Sequence, residues 1–204
     1  MAADKHIIFF LEDAAQESLI PGLFKRLISD LGLPSERFHL KILYARGGAS
    51  LRALTDFITD SKKYAHLNAD LLVVGSDANC KGFTVRRDWI AKKMEKTNYS
   101  AIIPAIADPH IERWYMLDMK ALAKVAGVPL SGCAPAYKCE KNHYKRLLRE
   151  AFRDSGIVPP LGGTEYGPLL ATEMNLYEAG KCDHGLKEFL KNVRAWLKHI
   201  KTAK

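Results

Sequence analysis

Three short acidic clusters follow directly on apolar runs of the chain. Glu12-Asp13 stands after Lys5–Leu11, with Glu17 five residues past Glu12. Asp77-Ala78-Asn79 stands after a run beginning at Asp70, and Asp108-Pro109-His110-Ile111-Glu112 after Ala101–Ala107. Carboxylates brought close together raise each other's pKa, and a hard cation among them relieves that cost. Mg²⁺ favours a few carboxylate oxygens together with water and phosphate oxygens. Metal ions so held can activate a water and stabilise the leaving oxygen of a phosphodiester. Taken singly, each group has a plainer role. Glu17 and Glu112 suit the first turn of a helix, and Asp77 suits the cap of a turn.

Positive charge is the other chemical signal. The 204 residues hold 31 Lys and Arg against 23 Asp and Glu, a formal charge of +8. Such an excess favours an anionic partner, nucleic acid before a membrane surface. Arg86, Arg87, Lys92, Lys93 and Lys96 directly follow the Asp77 cluster, where a phosphate backbone would need holding. Lys138, Lys141, Lys145 and Arg149 form a second stripe at helical spacing, and Lys187, Lys191, Arg194, Lys198 and Lys201 a third. Trp89, Trp114 and Tyr115 offer rings for base stacking, though core packing is the commoner use of such residues. Gly47-Gly48-Ala49-Ser50 lacks the Gly-Lys-Ser/Thr of a P-loop, so it reads as a tight turn and makes no case for ATP use.

No apolar run reaches the roughly 20 residues of a membrane span. The apolar segment near the start is too short for a signal-peptide core. Both point to a cytoplasmic protein whose four cysteines are reduced thiols. Cys133, Cys139, Cys182 and His184 are a conceivable zinc set, but their spacing is looser than that of structural zinc sites. Cys80 has no histidine near it in sequence to activate it and reads as a bystander thiol. His110 is either a loop histidine or a group that touches phosphate.

The elements that must position these groups alternate. Strands are expected at Lys5–Leu11, Phe38–Tyr44, Asp70–Gly75 and Ala101–Ala107, with Pro104 marking an edge. Between them lie a helix carrying Leu19, Leu23, Leu27 and Leu31, one carrying Leu51, Leu54, Phe57 and Ile58, and a basic one from Thr84 to Lys96. A helix from about Ile111 to Val125 follows. This order predicts an α/β fold with a mainly parallel sheet, whose strand carboxyl ends share one rim. Residues 1–127 are expected to form that core. Residues 128–204 would be a helical extension packed on it, with helices near Lys141–Asp154, Thr164–Tyr177 and His184–Lys201.

Glu12 after the first strand, Asp77-x-Asn79 after the third, and Pro109-His110-Ile111-Glu112-Arg113-Trp114 after the fourth together resemble the TOPRIM domain. The closest likeness is to small nucleases of the overcoming-lysogenization-defect type found in bacterial defence systems. It covers most of the chain and extends to Lys145-Arg146-Leu147-Leu148, Thr172-Glu173-Met174-Asn175-Leu176 and Phe189-Leu190. The resemblance implies a Rossmann-like TOPRIM core and Mg²⁺-dependent cleavage of DNA or RNA, with Mn²⁺ able to substitute. Glu12, Asp77 and Glu112 would be catalytic; Glu12, Glu17, Asp77 and Asn79 would hold metal. Arg86, Arg87, Lys92, Lys93 and Lys145 would hold nucleic acid. It also implies an ABC-type ATPase partner. Three departures stand out: Asn79 in place of a second Asp, Asp13 in place of Gly, and one extra residue before Glu17. A non-catalytic nucleic-acid-binding or regulatory subunit is therefore the alternative expectation, and a phosphatase on a small substrate a weaker third.

Overall fold

The computed structural model describes residues 3–44, 54–57, 69–95, 97, 99–130 and 134–202. Four parallel strands form its sheet: β1 (Lys5–Leu11), β2 (Phe38–Tyr44), β3 (Leu71–Asp77) and β4 (Ile102–Ala107), in spatial order β2-β1-β3-β4. The expected α/β class, Rossmann-like with a parallel sheet, is what the chain adopts. Pro104 does lie on an edge strand. Strand β3 runs two residues further than its apolar run, so Asp77 itself pairs with Ala107.

Period-two alternation sends side chains to two faces. Ile7, Phe9 and Leu11 of β1 join Leu71 and Val73 of β3 on one face; Ile8, Phe10, Leu72 and Val74 occupy the other. The first face is covered by α1 (Ala14–Asp30), whose Leu19, Leu23 and Leu27 are wholly buried. Each such leucine contributes about 1.5–3 kcal/mol by leaving water. The second face is covered by residues 54–57 and by α2 (Phe83–Met94), through Leu54, Phe57, Phe83, Ile90 and Met94.

The expected helix Ile111–Val125 is two helices, α3 (Glu112–Tyr115) and α4 (Met119–Ala126). Asp118 makes the break, because its carboxylate accepts the Ala121 N–H and also the Asn175 N–H from a distant segment. After α5 (His143–Asp154), the expected helix Thr164–Tyr177 is likewise divided. A 3₁₀ turn at Thr164–Tyr166 leads into α6 (Gly167–Glu173) and then α7 (Leu176–Cys182), which Asn175 caps through the Glu178 N–H. Helix α8 (His184–Thr202) runs close to its expected length.

These carboxyl-terminal helices bury Tyr144, Leu148, Phe152, Leu186, Phe189, Val193 and Leu197 in the same cluster as β1 and α1. Gly185 is obligatory where α8 meets the sheet, since a Cβ there would run into the Ile106 carbonyl. Trp114 and Tyr115 are fully buried, so of their two possible roles the packing one is realised. No helix among the described residues is long and apolar enough to cross a membrane.

Candidate active site

Strand order fixes where a ligand would sit. From β1 the chain goes to β2 on one side, then returns across to β3 and β4 on the other. The carboxyl ends of β1 and β3 therefore flank the point where the order reverses, the usual crevice for ligands in open α/β sheets. Glu12 leaves β1 there and Asp77 ends β3 there, and the two are in contact. The Asp77 N–H donates to Glu12 Oε2 at 2.9 Å, and the Ser76 hydroxyl donates to the same oxygen at 3.3 Å.

Asp77 is held from three further directions. Gln16 Nε2 and the Ile111 N–H both donate to Oδ1 at 3.1 Å, and His110 Nδ1 lies 3.1 Å from Oδ2. Gln16 is itself buried and fixed, for its Oε1 accepts the Glu12 N–H at 2.9 Å. One amide thus ties the end of β1 to the end of β3. Gly75 makes room for it, since a Cβ at that position would lie 2.5 Å from Gln16 Oε1. Asp13 caps α1 by accepting the Gln16 N–H at 2.9 Å, which sets the helix register that sends Gln16 inward.

Burial is the main force on Asp77 and pushes its pKa up to about 7. The hydrogen bond from His110 opposes this, while the charges of Glu12, Asp13 and Glu112 add to the rise. His110 is correspondingly raised, chiefly by its hydrogen bond to Asp77, against the cost of its own burial. Asp13 keeps an exposed side chain, yet the crowded rim strips enough water from it to raise its pKa. The Gln16 N–H opposes that rise, Glu12 adds to it, and Lys145 of α5 opposes it as well. The rim is therefore a pocket of mutually repelling carboxylates with one histidine among them.

The other expected site residues fall at different distances from this centre. Glu112 begins α3, half-buried, and acts on Asp77 through its charge. Glu17 lies in the first turn of α1, its N–H bonded to the Asp13 carbonyl. Asn79 is exposed in a left-handed conformation with φ +49°, which Asn tolerates better than most residues. Its side-chain Nδ2 bends back to the Asp77 carbonyl at 3.4 Å. Arg86 is buried with its Nε unpartnered, while Arg87 and Lys92 are exposed, Arg87 beside Asp88. Lys93 lies over the Trp89 ring at 5.7 Å. Lys145 is exposed on the side of Asp13. Gly47–Ser50, Leu51, Ile58, Lys96 and Cys133 lie outside the described residues.

Two cysteines depart from expectation. Cys80, three residues past Asp77, forms a disulfide with Cys139, so these two are not free thiols and Cys139 is not available to zinc. Cys182 is free and exposed. The bond fastens the loop after β3 to the segment before α5. Cys80 itself holds φ +64°, a left-handed conformation that costs a non-glycine residue about 1 kcal/mol or more.

Whether a divalent cation suits this rim depends on the lone pairs left over. Glu12 Oε2 already accepts two hydrogen bonds, and so does Asp77 Oδ1. Glu12 Oε1 accepts none from the described residues, and Asp77 Oδ2 accepts only the one from His110. Two open carboxylate positions in a field of excess negative charge suit Mg²⁺, which takes one or two protein carboxylates and fills the rest with water and phosphate. Among the described residues, no three His, Cys, Asp or Glu side chains are grouped so that together they could hold a metal ion.

No family model, curated protein or solved structure matches this chain.

Proposed function

We propose that the protein is a metal-dependent nuclease of TOPRIM type. The observation that carries this reading is the contact of Glu12 and Asp77 at the reversal point of the sheet, with Asp77 lifted to about 7 by burial and like charges. Glu12 and Asp77 would hold Mg²⁺, or Mn²⁺ in its place, with Glu17 and Asn79 assisting. Bound there, the ion supplies charge neutralisation at a scissile phosphate and a more acidic water. Glu112 adds negative charge behind the pair. Gln16 fixes the Asp77 carboxylate in orientation. His110 is anchored to Asp77 through Nδ1, which leaves Nε2 to donate a hydrogen bond or a proton to a phosphate oxygen. Arg87, Lys92, Lys93 and Lys145 would hold DNA or RNA.

The resemblance stated from the sequence extends the proposal to an effector of a bacterial anti-phage defence system under an ABC-type ATPase partner. It also extends it to a cytoplasmic location. A cytosolic thiol pool keeps most cysteine pairs reduced, so the Cys80–Cys139 bond bears directly on location. Alkylation of acid-quenched cells should find that pair as thiols if the protein is cytoplasmic, and as the disulfide if it is not.

The test is incubation with plasmid and with tRNA, with and without Mg²⁺ or Mn²⁺, beside Glu12→Ala and Asp77→Ala. Metal-dependent cutting that both substitutions abolish is the expected result. Binding without cutting, with any partner present, favours the second reading, a non-catalytic nucleic-acid-binding subunit. The full engagement of Asp77 Oδ1 by Gln16 and Ile111 is the observation on that side.

A further inference from the structure

Helix α5 and the segment after it enclose a groove of about 720 Å³ whose two walls differ in kind. One wall is cationic. Lys145, Arg149 and Arg153 stand four residues apart on one face of α5, so they rise about 6 Å from one to the next. The inward face of the same helix is Tyr144, Leu148 and Phe152, which fixes the outward direction of the basic row. The other wall is apolar and consists of Ile157, Val158, Pro159 and Pro160. Val158 is 85% exposed.

The row is not neutralised from within. Lys145 and Arg149 make no ion pair among the described residues, and Arg153 meets only the exposed Asp154, at 3.8 Å. Arg146 differs, being engaged by Glu140 and Glu150. Glu150 is the single acidic residue of the lining. Gly162, with φ +70°, lets the loop backbone pass beneath Arg149, since a Cβ there would sit 2.9 Å from the guanidinium Nε.

A ligand that fits has charge repeating along one edge and apolar faces along the other. That describes a single nucleic-acid strand, with phosphates on the α5 row and bases against the proline wall. A duplex turns its bases inward and cannot offer them to that wall. An acidic peptide has the charge but not the flat apolar edge.

We infer that the groove between α5 and residues 157–162 binds single-stranded nucleic acid. The inference rests on the nuclease reading, and it names the form of the substrate as a single strand. Fluorescence anisotropy of the full chain in EDTA, with labelled oligo-dT, oligo-U, a duplex of equal length and poly-glutamate, tests it. Single strands should bind with a salt slope of about −2, as three neutralised phosphates predict at roughly −0.7 each. Arg149→Ala with Arg153→Ala should weaken single-strand binding at least tenfold and bring the slope near −0.7, with the melting temperature unchanged. Val158→Asp should also weaken it, leaving the duplex little affected. Wild-type binding by the double variant, or competition by poly-glutamate as strong as by oligo-dT, overturns the inference. If the wild type never cuts yet the double variant loses single-strand binding, the nuclease reading fails and the groove stands. If the wild type cuts and the double variant binds single strands unchanged, the groove fails alone.

Discussion

Asp77 and Asp183 are both buried carboxylates in this chain, and they are treated in opposite ways. Asp183 precedes α8 and accepts from the Trp114 indole at 3.0 Å and the Leu186 N–H at 2.9 Å, and it is paired with Arg113. Arg113 also donates to the Cys182 carbonyl. Burial raises the Asp183 pKa and the charge of Asp108 adds to the rise, while the Leu186 amide, Arg113 and Trp114 oppose it. Around Asp77 the main opposing group is one histidine, and three carboxylates push the other way. The first arrangement sets a cation and two donors against the carboxylate, though Arg113 Nε stays unpartnered; the second sets more negative charge beside it. A buried carboxylate thus signals function here when its neighbours fail to neutralise it, and architecture when they succeed.

The comparison breaks most visibly at Arg113. Arg113→Ala strands Asp183 without its partner, which should cost about 3–5 kcal/mol. At about 2–4 °C per kcal/mol for a chain of this size, the melting temperature should fall by about 6–20 °C. A fall of a degree or two would erase the distinction.

A pH series sharpens the other half. The folded-state pKa of Asp77 lies near 7, against an ordinary value near 4. The folded protein therefore binds that proton more tightly than the unfolded chain, and stability declines as pH rises from about 4 to 7. His110, also raised, contributes stability below its unfolded pKa of about 6.5 that is lost as pH climbs through its folded value. Both act in one direction. In chelator, urea unfolding should show a loss on the order of 2–4 kcal/mol between pH 5 and 8. Asp77→Asn should remove most of it, and added Mg²⁺ should flatten it. A profile indifferent to Asp77→Asn would mean that the rim charges do not burden the fold.

Gly75→Ala tests how the rim is held. Its Cβ would press on Gln16 and Leu11, an overpacking that costs about 1–3 kcal/mol. Displacing Gln16 should also lower cutting activity more than it lowers the melting temperature would suggest, as a temperature-matched assay can show. The smallest effect is expected at the exposed Lys124–Glu173 pair, where Lys124→Ala should change stability by about 0.5 kcal/mol or less in denaturant unfolding.

Much of this was legible in the sequence, for local reasons. The apolar runs placed all four strands, and β2 begins and ends at its expected residues. Pro104 identified an edge, and the parallel order brought Glu12 and Asp77 to one rim. What escaped depends on long-range contact. Gln16 looks like an ordinary polar residue near a helix start; its partner Asp77 lies 61 positions away, and the space it occupies exists because residue 75 is glycine. The breaks at Asp118 and Asn175 are side-chain caps inside patterns that otherwise read as continuous helix. His110 carried two readings until its ring was seen against Asp77. The Cys80–Cys139 pairing crosses 59 positions and leaves no mark in spacing.

That bond also changes the connectivity of the chain. Residues 80 to 139 become a covalent ring that carries α2, β4, α3 and α4. A backbone cut anywhere inside the ring would leave the segment bearing Glu12 and Asp77 joined through sulfur to the segment bearing α5 and α8. The rim and the groove would then stay on one molecule after a protease had opened the polypeptide between them, and would part only when the sulfur link was reduced.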